Sequence, residues 1–147
     1  MTLGGRVDPS PAYWFEVDMG VPGLVLVREV SGLSEKLEIV KVYEGGTVGA
    51  YHPLPGKRSW PNLVLKGVVA EDLSFFAWYS STRLEFLIQA RRMLSIFLKR
   101  SDGKIMANWN VIGAYPISYT GPTFDSNSAK VAFEQIELTH MGIIRDL

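Results

Sequence analysis

Cysteine is absent from the sequence, which excludes disulfides, thiol nucleophiles and thiolate metal sites without fixing a compartment. An excess of either charge is missing too: 15 Lys and Arg offset 15 Asp and Glu, so the formal net charge is zero. A general nucleic-acid binder carries a basic surplus, so the charge gives no indication of nucleic-acid binding. Neutrality also weakens the self-repulsion that keeps proteins monomeric, so packing against copies carries little electrostatic penalty. Long hydrophobic runs are lacking as well. The apolar stretch Val21 to Val27 falls far short of a membrane span. Residues 1–11 are polar and rich in Gly and Pro, without the apolar segment of a signal peptide. The expectation is a chain made in the cytoplasm with no membrane anchor, leaving, if it leaves, by a route other than Sec.

Chemistry-bearing patterns are equally scarce. The two histidines, His52 and His140, each stand alone, without a second ligand at HxxxH or HExxH spacing. They read as a loop and a strand-end residue. Gly45-Gly46 is followed by no Lys-Ser/Thr and no helix start, so it reads as a turn rather than a phosphate loop. No serine sits in a GxSxG context. Of the carboxylate pairs, Glu71-Asp72 suits a helix start, while Glu134 and Glu137 fall on opposite faces of a strand. No catalytic residue, metal ligand or cofactor is expected. A carboxylate-based hydrolase using Glu134 is the best enzymatic alternative.

What is present is a foldable β chain. At 147 residues, 47% hydrophobic and 20% charged, it suits one domain with a real core. Residues 1–12 read as a flexible arm and 13–147 as a single domain. Tyr13, Phe15 and Val17 alternate with Trp14, Glu16 and Asp18, and a Gly-Pro turn leads to a second strand over 24–30. A long strand over 34–44 slips phase, which signals a bulge or a strand contacted on both faces. Periodicity vanishes over 45–61, a long loop of the kind that is functional or ordered by a partner. A strand follows over 62–69. Asp72 caps a short helix whose apolar stripe is Leu73, Phe76 and Tyr79, with a possible extra turn over 85–90.

The 92–111 stretch gives the strongest hairpin signal, with Leu94, Ile96 and Leu98 alternating before the Ser101-Asp102-Gly103 turn. Strands over 114–119 and 131–140 complete seven or eight, the latter slipping phase between Phe133 and Ile136. The fold class is all-β with one short helix, as a sandwich or barrel. The candidate assembly residues are Gly45, Gly46, Tyr51, His52, Pro55, Gly56, Lys57, Arg58 and Trp60 in the loop. The basic residues Arg91, Arg92 and Lys99 join them, though they read first as a solvated strand edge. Trp60, between Lys57-Arg58-Ser59 and Pro61, is either tucked onto the body or an interface anchor.

These residues resemble a known family. Ser31-Gly32-Leu33-Ser34-Glu35, Tyr43-Glu44-Gly45-Gly46, Leu54-Pro55-Gly56-Lys57 and Leu63-Val64-Leu65-Lys66-Gly67 follow one another as in the tail-tube proteins of contractile-tailed phages. Closer still are the inner-tube proteins of extracellular contractile injection systems. Phe75-Phe76-Ala77-Trp78, Trp109-Asn110-Val111, Ala114-Tyr115-Pro116-Ile117 and Glu137-Leu138-Thr139-His140 extend the likeness over about Pro11 to Gly142.

The resemblance implies two packed β-sheets closing towards a barrel, shared with the type VI secretion tube protein. It further implies homohexameric rings stacked inside a sheath, with baseplate and spike proteins as partners and cargo in the lumen. A phage tail tube and a small ligand-binding β-barrel remain the alternatives. For a tube, the polar face of the 92–111 hairpin, with Ser95, Lys99, Asn108 and Asn110, is expected to line the lumen or the exterior. The hairpin itself is expected to pair with a neighbour, with Phe97 near the protomer boundary.

Overall fold

The computed structural model describes residues 13–20, 24–43, 45, 49–69, 74–83, 91–122, 126–127 and 133–146. The arm expected over 1–12, the helical turn over 85–90, the Asp72 cap and Leu73 lie outside these residues. Within them the elements run β1 (Tyr13–Asp18), β2 (Leu24–Val27), β3 (Glu29–Ser31), β4 (Lys36–Tyr43), β5 (Tyr51–Ser59) and β6 (Leu63–Val69). The helix α1 (Ser74–Ser81), β7 (Arg92–Arg100), β8 (Ile105–Thr120), β9 (Phe133–Thr139) and β10 (Gly142–Asp146) follow. The expected all-β fold with one short helix forms, as two packed sheets bending towards a barrel.

All ladders are antiparallel. Their path runs β2-β1-β7-β8-β9-β6-β3, with β10 added on β8 and β4–β5 forming a separate ribbon. β2 and β3 stand at opposite ends of this path, yet only Arg28 separates them in sequence. One bent segment therefore starts one sheet and ends the other, and the barrel is approached rather than closed. The Arg28 N–H donates to the Lys66 carbonyl at 3.1 Å, holding the bend on β6. Gly67, at φ +99°, lies beneath the Arg28 side chain. A Cβ there would come within 2.6 Å of the Arg28 Cβ, so only glycine permits this approach.

β8 belongs to both sheets. Its first half pairs with β7 and β10, its second half with β9. β9 and β10 follow the same edge of β8, Thr139 opposite Tyr115 and Gly142 opposite Ile112. The core fills from inward positions of both sheets, including Val17, Leu65, Leu94, Ile96, Val111 and Ile136, with Phe75 and Trp78 from α1. Each such burial is worth about 1.5–3 kcal/mol, enough to set the register of every strand that supplies one.

Several expectations need correction. The buried stripe of α1 is Phe75 and Trp78; Phe76 and Tyr79 instead pack on Tyr119, at 5.5 and 6.0 Å between ring centroids. The phenol on β8 offers an aromatic shelf that holds these rings at the rim. The slip expected near Ile136 is absent: Glu134, Ile136 and Leu138 alternate inward, with Glu134 only 3% exposed. Glu137 lies on the other face and accepts from Asn62 Nδ2 at 3.1 Å. Residues 51–59 are strand, not loop. Both edges of the 92–111 hairpin are taken within the protomer, β7 by β1 and β8 by β10, so it has no edge to offer a neighbour. The strand expected over 114–119 is the continuation of β8.

The buried Glu134 carboxylate bonds the Tyr119 hydroxyl, and its Oε2 has no partner among the described residues. Burial first, then this hydrogen bond, pushes the Tyr119 phenol up to about 12 from 10.0. Tyr119→Phe removes the carboxylate's partner and should cost about 1–3 kcal/mol in urea unfolding at neutral pH. A phenol raised by folding keeps its full stabilising contribution below pH 10. The wild type should therefore lose stability between pH 10 and 12, and Tyr119→Phe should lose less.

Candidate assembly surface

β4 and β5 form a ribbon that carries no core of its own. Every residue of both strands is exposed except Gly56, which is half-buried. Tyr43 pairs with Tyr51, Lys41 with Pro53 and Ile39 with Pro55 on one face; Val42 pairs with His52 and Val40 with Leu54 on the other. Apolar side chains thus stand on both faces, which is the physical content of the phase slip read in 34–44. A bulge sets Gly56 and Lys57 against Glu38, because Ile39 pairs with Pro55 while Leu37 pairs with Arg58. A Cβ on Gly56 would meet the Glu38 carbonyl oxygen at 3.1 Å. Near the tip, Lys41 Nζ lies 4.8 Å from the centre of the Tyr51 ring, and Tyr43 meets Tyr51 edge-on at 6.1 Å.

The ribbon root is held at two points. Arg58 pairs with Glu35 across the two strand ends. Trp60 tucks back onto the body, its ring against Gly142 and 6.4 Å from His140. His140 Nε2 donates to the Pro61 carbonyl at 2.9 Å. Of the two readings for Trp60, the isolated protomer therefore adopts the tucked one.

A second surface is the outward face of the β2-β1-β7-β8-β10 sheet. One row across it reads Leu24, Asp18, Ser95, Asn110, Ile144; the next reads Leu26, Glu16, Phe97, Asn108, Asp146. Its middle is polar and internally bonded. Ser95 Oγ donates to Asn110 Oδ1 at 2.9 Å, and Asn110 Nδ2 to Asp146 at 2.7 Å. Glu16 meets Lys99 at 2.6 Å, and that hydrogen bond holds its carboxyl below the usual range. The two lateral edges are apolar: Leu24 and Leu26 on β2 are 62% and 63% exposed, and Ile144 on β10 is 55% exposed. Phe97, expected at the protomer boundary, sits in the middle of this face between Glu16 and Asn108.

The candidate residues are therefore only partly gathered. Tyr51, His52, Pro55, Gly56, Lys57 and Arg58 share the ribbon, Trp60 its root, and Gly45 an exposed turn beyond Tyr43. Gly46 lies outside the described residues. The basic patch does not form. Arg91 lies over Tyr115 at 5.5 Å and Arg92 over Trp78 at 5.3 Å, while Lys99, at the other end of β7, faces Glu16. Sequence reasoning missed Ile39, Val40, Val42 and Leu54 on the ribbon, and Leu24, Leu26 and Ile144 on the sheet edges. The phase slip signalled the ribbon residues. Nothing in the sequence separates the edge leucines from core. Among the described residues no three His, Asp or Glu side chains group as a metal site requires, and no helix is long and apolar enough to cross a membrane.

Two packed sheets, one flanking helix and a protruding ribbon define a protein of the tail-tube class. Residues 11–144 match the family described as T4-like virus tail tube protein gp19, and the chain belongs to that family. Among solved structures it is similar to a chain of the PVC sheath–tube complex of an extracellular contractile injection system in the extended state. The identity is 29% and the TM-score 0.75, over 96% of this chain and 93% of that one. It is similar at 27% identity and TM-score 0.73 to a chain of the anti-feeding prophage tube-terminating cap, over 99% of each. Hcp1 from Flavobacterium johnsoniae, at 14% identity and TM-score 0.58 over 90% and 94%, shares the fold. A search of curated proteins returns no match.

The exposed side chains of the ribbon support no core, so substitution there is tolerated in the free protomer. Val40→Lys should change the unfolding free energy by less than about 0.5 kcal/mol, whereas Leu65→Ala in the core should cost about 2–5 kcal/mol. Parallel urea titrations of the two variants check the contrast.

Proposed function

We propose that this tail-tube protein forms the inner tube of a phage-tail-like contractile injection system, as homohexameric rings stacked within a sheath. The observation that carries the reading is the outward sheet face, with a hydrogen-bonded polar middle around Phe97 and apolar side chains at both open edges. β2 and β10 each leave one row of backbone groups unpaired, and such edges are satisfied when another chain adds to them. They are different edges, so the contact between copies is head-to-tail, and a head-to-tail contact that closes makes a ring. The β2 edge, with Leu24 and Leu26, meets Ile144 of the next copy. The polar rows then face a common space, the lumen, where a wall without a continuous apolar surface lets cargo pass.

The ribbon stands clear of that face with both its own faces open, which suits it to reach the adjoining ring. Sheath, baseplate and spike proteins are the further partners. The likeness to components of extracellular contractile particles favours this assignment over a phage tail. The role is structural, with no enzymatic step and no cofactor, and the finished particle acts outside the cell that made it.

Negative-stain microscopy of the purified protein tests the reading, with rings or tubes expected in the absence of nucleotide or metal. Leu26→Asp should abolish rings, whereas deleting residues 47–53 at the ribbon tip should leave rings that fail to stack. A folded chain that stays monomeric at high concentration counts against the assignment.

A further inference from the structure

The Trp60 seat contains two polar atoms without a hydrogen-bond partner among the described residues. They are Trp60 Nε1 and His140 Nδ1, both buried. One is an obligatory donor. The other is the second ring nitrogen of a histidine whose Nε2 donates to the Pro61 carbonyl. Each buried unpaired group destabilises the state that contains it. The tucked position is therefore held by shape, the indole against Gly142 and the His140 ring, and opposed by hydrogen bonding. A side chain so placed has a reason to leave once another environment offers an acceptor.

We propose that Trp60 is an assembly anchor held in a latch, and that a second copy of this chain draws it out. The ribbon root is where such a release has effect. Trp60 directly follows β5, and the exposed ribbon of β4 and β5 extends from this point. The remaining tie at the root, Arg58 with Glu35, is an exposed pair and a weak restraint. When Trp60 leaves, His140 Nδ1 reaches solvent and the indole N–H finds a backbone or side-chain oxygen on the neighbour. Both groups are then satisfied. Tryptophan suits the task, combining a large apolar ring with one donor. The latch lets the free protomer keep this ring covered, so that it becomes available only to a copy already docked on the ribbon.

The inference rests on the tube-subunit reading, and its test separates the two. Replacing Trp60 with its benzothienyl isostere keeps the ring shape and removes the N–H. In the free full-length protein this relieves the unpaired donor, so the amides of Arg58, Ser59, residue 60 and Asn62 should exchange about tenfold more slowly. Assembly then loses a hydrogen bond, and the critical concentration should rise about tenfold. Trp60→Ala empties the seat, and root exchange should accelerate. With 5-fluorotryptophan, the Trp60 fluorine resonance should move on assembly while that of the core Trp78 stays in place. Equal exchange in isostere and wild type overturns the latch. An unmoved Trp60 resonance in assembled particles overturns the anchor. A protein that forms no particle overturns the tube reading, and the exchange result still decides the latch.

Discussion

Every backbone N–H and C=O on a strand edge must find a partner, and the arrangement of this chain follows from where that requirement is met. β1, β6, β7, β8 and β9 are paired along both edges within the protomer. The segment that bends at Arg28 serves two sheets in turn, and β9 with β10 lines one edge of β8. Among the described residues, what is left open is one edge each of β2, β3 and β10, and the outer edges of the ribbon. A two-stranded ribbon with no packed face is marginal by itself in water. Here it rests on the Trp60 seat and on the proximity of its own strands, and its apolar faces await contact.

The parts of the fold legible in sequence were those whose side chains divide cleanly between core and solvent. Val17, Leu94 and Ile96 lie on strands whose alternation survives intact, so β1 and β7 were found, together with the turn over 101–103. β5 was unreadable because neither face is buried, and its Pro53, Pro55 and Gly56 are ordinary signs of a loop. On a two-stranded ribbon each strand keeps a free edge, where the missing proline N–H costs little. Glu134 masked the phase of β9 because a carboxylate inside the core contradicts the simple pattern, and only Tyr119 makes its position intelligible. β10 is short, begins with glycine and ends on Arg145 and Asp146, so it carries almost no periodic signal. The phase slip in 34–44 marked the ribbon's first strand, whereas the edge leucines looked like any buried apolar run.

Cationic side chains follow a consistent pattern. Arg28 lies 4.7 Å from the centre of Phe133, Arg145 lies 5.6 Å from that of Trp109, and Arg91 and Arg92 cover other rings. Rings shield the guanidinium stems while leaving the charge near solvent. A neutral chain can in this way avoid broad basic patches that would attract nucleic acid, and the dispersal of Arg91, Arg92 and Lys99 is one instance of it.

The sharing of β8 between the two sheets has a mechanical consequence. A force along this strand is borne by covalent backbone, and its ladders to β7, β9 and β10 are loaded in shear, so many hydrogen bonds must yield together rather than one after another. The sheets cannot slide past each other without tearing β8 from partners on both sides. A subunit built this way is stiff along the direction of β8.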